Sequence, residues 1–183
     1  LDFLQNIDVS LFYFFNVTLS NSVTDKLMPF ITERSHWFVF YVLIWLYLFF
    51  KGGARGRVAA ILIIPLILMA DQFSDNIIKQ FFQRTRPCHD LTGVHLLINC
   101  SESYSLPSNH AVNNFAAATL FSNFYREMKL FFFTGAFFVS FSRVMCGVHY
   151  PSDILAGALT GIGFALFILY LWRFVNGRFK IIL

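Results

Sequence analysis

Charge is what this sequence has least of. Asp, Glu, Lys and Arg make up 13% of its 183 residues, against 57% hydrophobic and 19% aromatic residues. Soluble domains carry roughly 25% charged residues, so an ordinary soluble fold is excluded. Cysteine is also scarce, with three residues and no metal-type spacing among them, which removes a structural zinc site. Cys146 lies among apolar residues and reads as a packing group. Cys88 and Cys100 share a polar stretch and fit either a disulfide closing that loop or two unpaired thiols; a bridge would require an oxidising compartment. The net charge of +4 and pI near 9.1 come from scattered basic residues with no continuous stripe, so no nucleic-acid partner is expected. Residues Leu1 to Asn21 show neither the basic start nor the small-residue cleavage site of a signal peptide. There is no internal repeat and no low-complexity linker.

What is present is a series of long apolar runs. A hydrocarbon core of roughly 30 Å needs about 20 residues of helix to cross it. Mean hydropathy is +0.61 and phenylalanine alone supplies 25 residues. The fold class expected is therefore an all-α, polytopic integral membrane bundle of about five transmembrane helices. The spans are His36 to Phe50, Val58 to about Phe82, Ser108 to about Tyr125, Met128 to about Val148, and Pro151 to Trp172. Residues 1–34 mix aromatic and polar groups without an adequate span and are expected to form interfacial amphipathic helices. One domain covers 1–183, with the bundle in 36–174 and a polar loop at 83–107. This topology puts Lys51, Arg55, Arg57, Arg126, Lys129, Arg173, Arg178 and Lys180 at one membrane face. The positive-inside tendency makes that face cytoplasmic and the other extracytoplasmic, in keeping with a Cys88–Cys100 bridge.

Three stretches converge on the second face: Lys79 to Pro87, Pro107 to His110, and Ser142 to Asp153. Polar side chains at the ends of apolar segments need a reason to exist. Pro151 suits the first position of a helix, which sets His149 just before it and Asp153 in its first turn, within hydrogen-bond reach of the imidazole. A carboxylate on one ring nitrogen frees the other to act as nucleophile or base. Lys79, Arg86 and Arg143 add cations, and the helix beginning at Ser108 adds amide donors. The collection suits a phosphate.

The ordered motifs Lys79-x6-Arg86-Pro87, Pro107-Ser108-x-His110 and Ser142-Arg143-x5-His149-x3-Asp153 resemble those of the type 2 phosphatidic acid phosphatase (PAP2) superfamily, membrane lipid phosphatases that share their site with vanadium haloperoxidases. The resemblance covers Lys79 to Asp153 in motif and most of the chain in helical organisation. It implies a two-step reaction: His149, oriented by Asp153, attacks phosphorus to form a phosphohistidine while His110 protonates the leaving oxygen, and water then attacks with His110 as base. Lys79, Arg86, Arg143, Ser108 and the Asn109 amide would hold the phosphate oxygens. Asn109 departs from the family's usual glycine. Asparagine tolerates unusual backbone angles, and its side chain either narrows the pocket or adds a hydrogen bond.

The site is rich in cations and poor in acids, so no metal and no other cofactor is expected. The expected partners are the bilayer and a membrane lipid phosphate, with no obligate protein partner evident. Lipid A 1-phosphate is put first by analogy with small family members, ahead of phosphatidylglycerol phosphate, phosphatidic acid and polyprenyl (undecaprenyl) diphosphate. The expected place is a bacterial inner membrane with the site on its periplasmic face. Two other classes stay open: a phosphatase-like lipid carrier, and a serine hydrolase using Ser108 with His110 or His149. Asp75 and Lys79 lie four apart and can pair. Asp71 reads as a helix-packing group, Arg84 as substrate contact or solvated charge, and His36, His89 and His95 as interfacial.

Overall fold

The computed structural model describes residues 2–179, and every described regular element is helical. Helix α1 (Asp2–Tyr13) runs into a π-helical turn at Phe14–Thr18, and α2 spans Thr24–Thr32. The start of α2 is set by Asn21, whose Oδ1 accepts from the backbone N–H groups of Val23 and Thr24 at 2.9 and 3.1 Å. Extended Glu33 then breaks the chain, and its carboxylate caps α3 (Arg34–Lys51) by accepting from Ser35 N.

The turn from α3 to α4 (Gly53–Phe73) needs its glycines. Gly53 has φ +63°, and a Cβ on Gly52 or Gly56 would stand 2.5 or 2.6 Å from the Leu48 carbonyl oxygen. The turn is short, with α4 already begun by Gly53. A π-helical turn at Ser74–Ile78 carries α4 into α5 (Lys79–Phe82), which left-handed Gln83 (φ +45°) ends. After α6 (Pro87–Asp90), an irregular loop leads to α7 (Asn109–Phe124), α8 (Lys129–Met145) and α9 (Pro151–Phe179). Pro151 does open α9.

Helix α7 is the axis of the bundle, packed against α4, α8 and α9. Leu66, Ala116, Leu120, Ala165, Ile168 and Leu169 form the buried core between α4, α7 and α9. The α7–α9 approach depends on two glycines one turn apart, a spacing that lets membrane helices come close. A Cβ on Gly161 would lie 2.1 Å from the Val112 carbonyl oxygen, and one on Gly157 would lie 2.7 Å from that of Ser108. The approach draws the starts of both helices together: Ser108 N donates to the Asp153 carbonyl oxygen at 3.1 Å.

Among the described residues, three stretches are long and apolar enough to cross a membrane by length and composition: Gly53–Asp90, Arg126–Met145 and Pro151–Arg178. The other two expected crossings, α3 and α7, have 18 and 16 residues. At about 1.5 Å per residue they reach roughly 27 and 24 Å. Exposed Phe38, Val39, Phe40 and Leu43 on α3, with Leu155, Leu159 and Leu166 on α9, present the apolar exterior expected of an integral membrane protein. Arg55, Arg126 and Arg173 gather at one end, around Asn123; Lys180 lies outside the described residues. At the other end α1 packs on the bundle, burying Phe12 against Val144 and Tyr150.

Candidate active site

Because α9 starts at Pro151, the Asp153 side chain turns back over the helix start and accepts from Tyr150 N at 2.8 Å. Asp153 is fully buried and both of its carboxylate oxygens are hydrogen-bonded. Oδ2 also accepts from the Ser105 hydroxyl at 2.5 Å and from His149 Nδ1 at 3.3 Å, and Oδ1 accepts from Arg84 Nη1 at 2.8 Å. Arg86 Nη1 lies 3.0 Å from His149 Nε2. A guanidinium can only donate, so Nε2 holds a lone pair and the ring proton sits on Nδ1, facing Asp153. Burial disfavours the imidazolium; Asp153 pulls toward it, but Arg86 and Arg143 repel it, and the pKa falls from 6.5 to about 4. His149 is therefore neutral at pH 7, and its contact with Asp153 is a hydrogen bond rather than an ion pair.

Arg86 is the N-terminal flank of α6, with Pro87 at the first helical position. Its Nε and Nη2 bind the carbonyl and hydroxyl of Ser103 at 2.7 and 3.0 Å, and Nη1 also reaches the Val148 carbonyl at 3.0 Å. Lys79 is buried and pairs with Asp75 at 2.6 Å, as the four-residue spacing allows. Asn109 Nδ2 donates to the same carboxylate at 3.0 and 3.1 Å and to Asp71 at 3.2 Å. The Asn109 side chain thus ties α7 to α4. Unusual backbone angles play no part, because Asn109 is not among the positive-φ residues. Asp71 also accepts from Asn113 at 2.9 Å, the interhelical role expected of it.

Ser108 occupies the position before α7, yet its hydroxyl makes no capping bond. Oγ is buried with no partner, and so is Arg143 Nε. A buried unpaired polar group costs about 1–3 kcal/mol, more if charged, so each of these two donors gains by meeting an acceptor. Arg143 Nη1 donates to Thr32 Oγ1 at 2.9 Å, and His110 Nε2 donates to the Thr32 carbonyl oxygen at 3.3 Å, which leaves His110 Nδ1 for other work. His110 lies within electrostatic reach of both Arg143 and His149. From His110 and Thr32 a cavity of about 680 Å³ runs between α3, α4 and α7, lined by apolar groups including Trp37, Trp45, Ile63, Ile67 and Phe121.

In the structure Cys88 and Cys100 are paired as a disulfide. With His89 they are also the one group among the described residues that could converge on a metal, but the bridge occupies both sulfurs.

The profile of the PAP2 superfamily matches residues 60–177. The chain belongs to the PAP2 superfamily. Lipid A phosphatases and undecaprenyl-diphosphatases are among its relatives, and this PAP2 protein is a phosphatase. It is 29% identical to a lipid A 4′-phosphatase of Bacteroides thetaiotaomicron, over 93% of this chain and 78% of the relative. It is 33% identical to the undecaprenyl-diphosphatase BcrC of Bacillus subtilis, over 80% of this chain and 75% of the relative. Among solved structures, Aquifex aeolicus LpxE superposes with TM-score 0.77 and 25% identity, over 90% of this chain and 95% of that one.

Residue-level reading of this PAP2 chain missed Asp8, Thr32, Ser103 and Ser105, and left Arg84 undecided. Each acts through a contact more than ten residues away in sequence, so no local spacing announces it. Arg84 lies between two carboxylates, Asp8 and Asp153, and is not a solvated charge.

Proposed function

We propose that this PAP2 phosphatase removes phosphate from a membrane lipid without a metal, through a covalent phosphohistidine on His149. The observation that carries the reading is the state of that ring: neutral, protonated on Nδ1 toward Asp153, with a lone pair on Nε2 among cations. In the first step Nε2 forms a bond to phosphorus as the bond to the lipid oxygen breaks, and His110, made imidazolium beside the bound phosphate anion with its Nε2–H on the Thr32 carbonyl, gives that oxygen its Nδ1 proton. In the second, water attacks phosphorus, the P–N bond breaks, and His110 takes the water proton. Arg86 exchanges its contact with Nε2 for a phosphate oxygen. Arg143, Ser108, Lys79 and the Asn109 amide hold the remaining charge, with the unpaired Ser108 hydroxyl and Arg143 Nε as ready donors.

The apolar cavity that begins at His110 supports a lipid leaving group, since the tail then extends from the atom that takes the proton. We place the phosphates of lipid A first. The 1-phosphate is the preference reached from sequence, and the 4′-phosphate stands beside it because the Bacteroides relative matches nearly the whole chain. Undecaprenyl diphosphate is the second reading, favoured by the likeness to BcrC. The gathering of Arg55, Arg126 and Arg173 at the end opposite His149 supports a cytoplasmic location for that end and a periplasmic site in a bacterial inner membrane. A serine hydrolase is disfavoured, since Ser108 Oγ is bonded to neither histidine.

The test is release of inorganic phosphate by the purified protein from lipid A phosphorylated at 1 or 4′, undecaprenyl diphosphate, phosphatidylglycerol phosphate and phosphatidic acid, with and without excess chelator. Release that survives chelator and vanishes in His149→Ala is expected. Activity restored by one divalent ion, or retained in His149→Ala, contradicts the proposal; lipid movement without phosphate release would point to a carrier.

A further inference from the structure

One buried set of charges takes no part in that chemistry. Asp8 lies on α1, far outside the stretch 60–177 that matches the family. Its Oδ2 accepts from Arg84 Nη2 at 2.6 Å, and Arg84 Nη1 donates to Asp153 Oδ1 at 2.8 Å and to the Ser152 hydroxyl at 2.6 Å. Asp8 Oδ1 accepts from Ser152 N at 2.9 Å, and Asp8 Oδ2 also accepts from the Ser152 hydroxyl. The Asp8 carboxylate therefore caps the first turn of α9 from another helix, doing what a residue at the helix's own start usually does. The Arg84 guanidinium carbon sits 3.9 Å from the centre of the Tyr150 ring, which shelves it in place.

Charge accounting gives this arrangement a purpose. Asp153 is fully buried and His149 is neutral, so the histidine does not balance the carboxylate. An unpaired buried charge costs several kcal/mol, and Arg84, shared between Asp8 and Asp153, supplies positive charge to both carboxylates, with Arg86 close enough to Asp153 to add to it. Asp8 grips the other side of the guanidinium and holds Arg84 against Asp153.

We propose that Asp8 and Arg84 are positioning residues: Asp8 holds Arg84 on Asp153 and holds the first turn of α9, so that the His149 ring is presented at a fixed angle to phosphorus and Arg84 is kept off the substrate. This rests on His149 being the nucleophile. The N-terminal helix is then part of the working site and not only an interfacial anchor.

The test uses the full-length purified protein with Asp8→Asn, Asp8→Glu, Arg84→Gln and the double variant Asp8→Asn/Arg84→Gln. A misplacement on the order of 1 Å lowers turnover about 100-fold, so Asp8→Asn is expected to lower kcat by about 10- to 100-fold with KM within about twofold. The double variant should be no worse than Arg84→Gln, because both act through one link. Arg84→Gln should also move the acid limb of kcat/KM upward. The charged and titratable groups facing His149 are Asp153 of α9, Arg86, Arg143 of α8 and His110 of α7, and loss of Arg84 leaves Asp153 free to stabilise the imidazolium.

A raised KM with unchanged kcat would make Arg84 a substrate contact and overturn the proposal, as would additive losses in the double variant. Should Asp8→Asn fail to fold, Asp8→Glu decides. It keeps the charge and shifts the carboxylate by one methylene; reduced kcat with the wild-type acid limb is expected, and unchanged kcat overturns the proposal. His149→Ala, run alongside, separates the two ideas: activity retained there sinks the phosphohistidine reading whatever Asp8 does.

Discussion

At one end of the bundle Lys51, Arg55, Arg57, Arg126, Lys129 and Arg173 stand exposed, and Arg173 reaches Asn123 at 2.5 Å. At the other end Lys79 and Arg86 are buried and Arg143 is half-buried, each held by named partners. The same residue types meet opposite conditions. An exposed cation is solvated, and its neighbours matter by about 0–1 kcal/mol. A buried cation is costly unless something pairs it, and its persistence calls for a charge to be met. The difference teaches that cation count says little here; burial with unpaired donors is what sets apart the end where the phosphate site is proposed.

The largest break in this comparison is expected at Arg143. Arg143→Gln removes a charge aimed at the phosphate and should lower kcat/KM by about 10²- to 10³-fold, the scale of losing one stabilising donor. Steady-state kinetics on the preferred lipid checks this, and a loss under twofold would place Arg143 outside the site.

A second effect lies in pH. His149 is depressed to about 4, so it stays neutral, and able to attack, until the pH falls through that value. The acid limb of kcat/KM should therefore lie near pH 4 once the substrate's own second ionisation, about pH 6, is corrected for. A limb near 6.5 that follows the enzyme would show an unperturbed ring. The same depression makes the folded state lose stability as pH drops from 6.5 toward 4, because the unfolded chain takes up the proton first.

The smallest effect is expected at the exposed end. Arg126→Gln should leave kcat/KM within about twofold, as solvated surface charges usually do. A loss like that of Arg143→Gln would erase the distinction between the ends.

Much of this was legible because membrane constraint and chemistry both write locally. Long apolar runs announced the helices, Pro151 announced the start of α9, and the spacing from His149 to Asp153 announced their hydrogen bond. The closeness of α7 and α9 was also written, in Gly157 and Gly161, though it was not read. What stayed hidden is what distance in sequence conceals. Asp8 meets Arg84 and Ser152 only after α1 folds over the bundle, and Thr32 joins Arg143 to His110 only because α2 ends between them. Asn109 was legible in part: an added side-chain hydrogen bond was one of its alternatives, but which partners it would find, Asp75 and Asp71 more than thirty residues away, was not.

The most direct test of the central claim is to quench the protein during turnover of a lipid carrying radioactive phosphate and locate the label. Label bound to His149, stable in alkali, lost in acid and absent from His149→Ala, is the predicted result. Turnover with no protein-bound label under conditions that slow the water step, or label on Ser108, would contradict it.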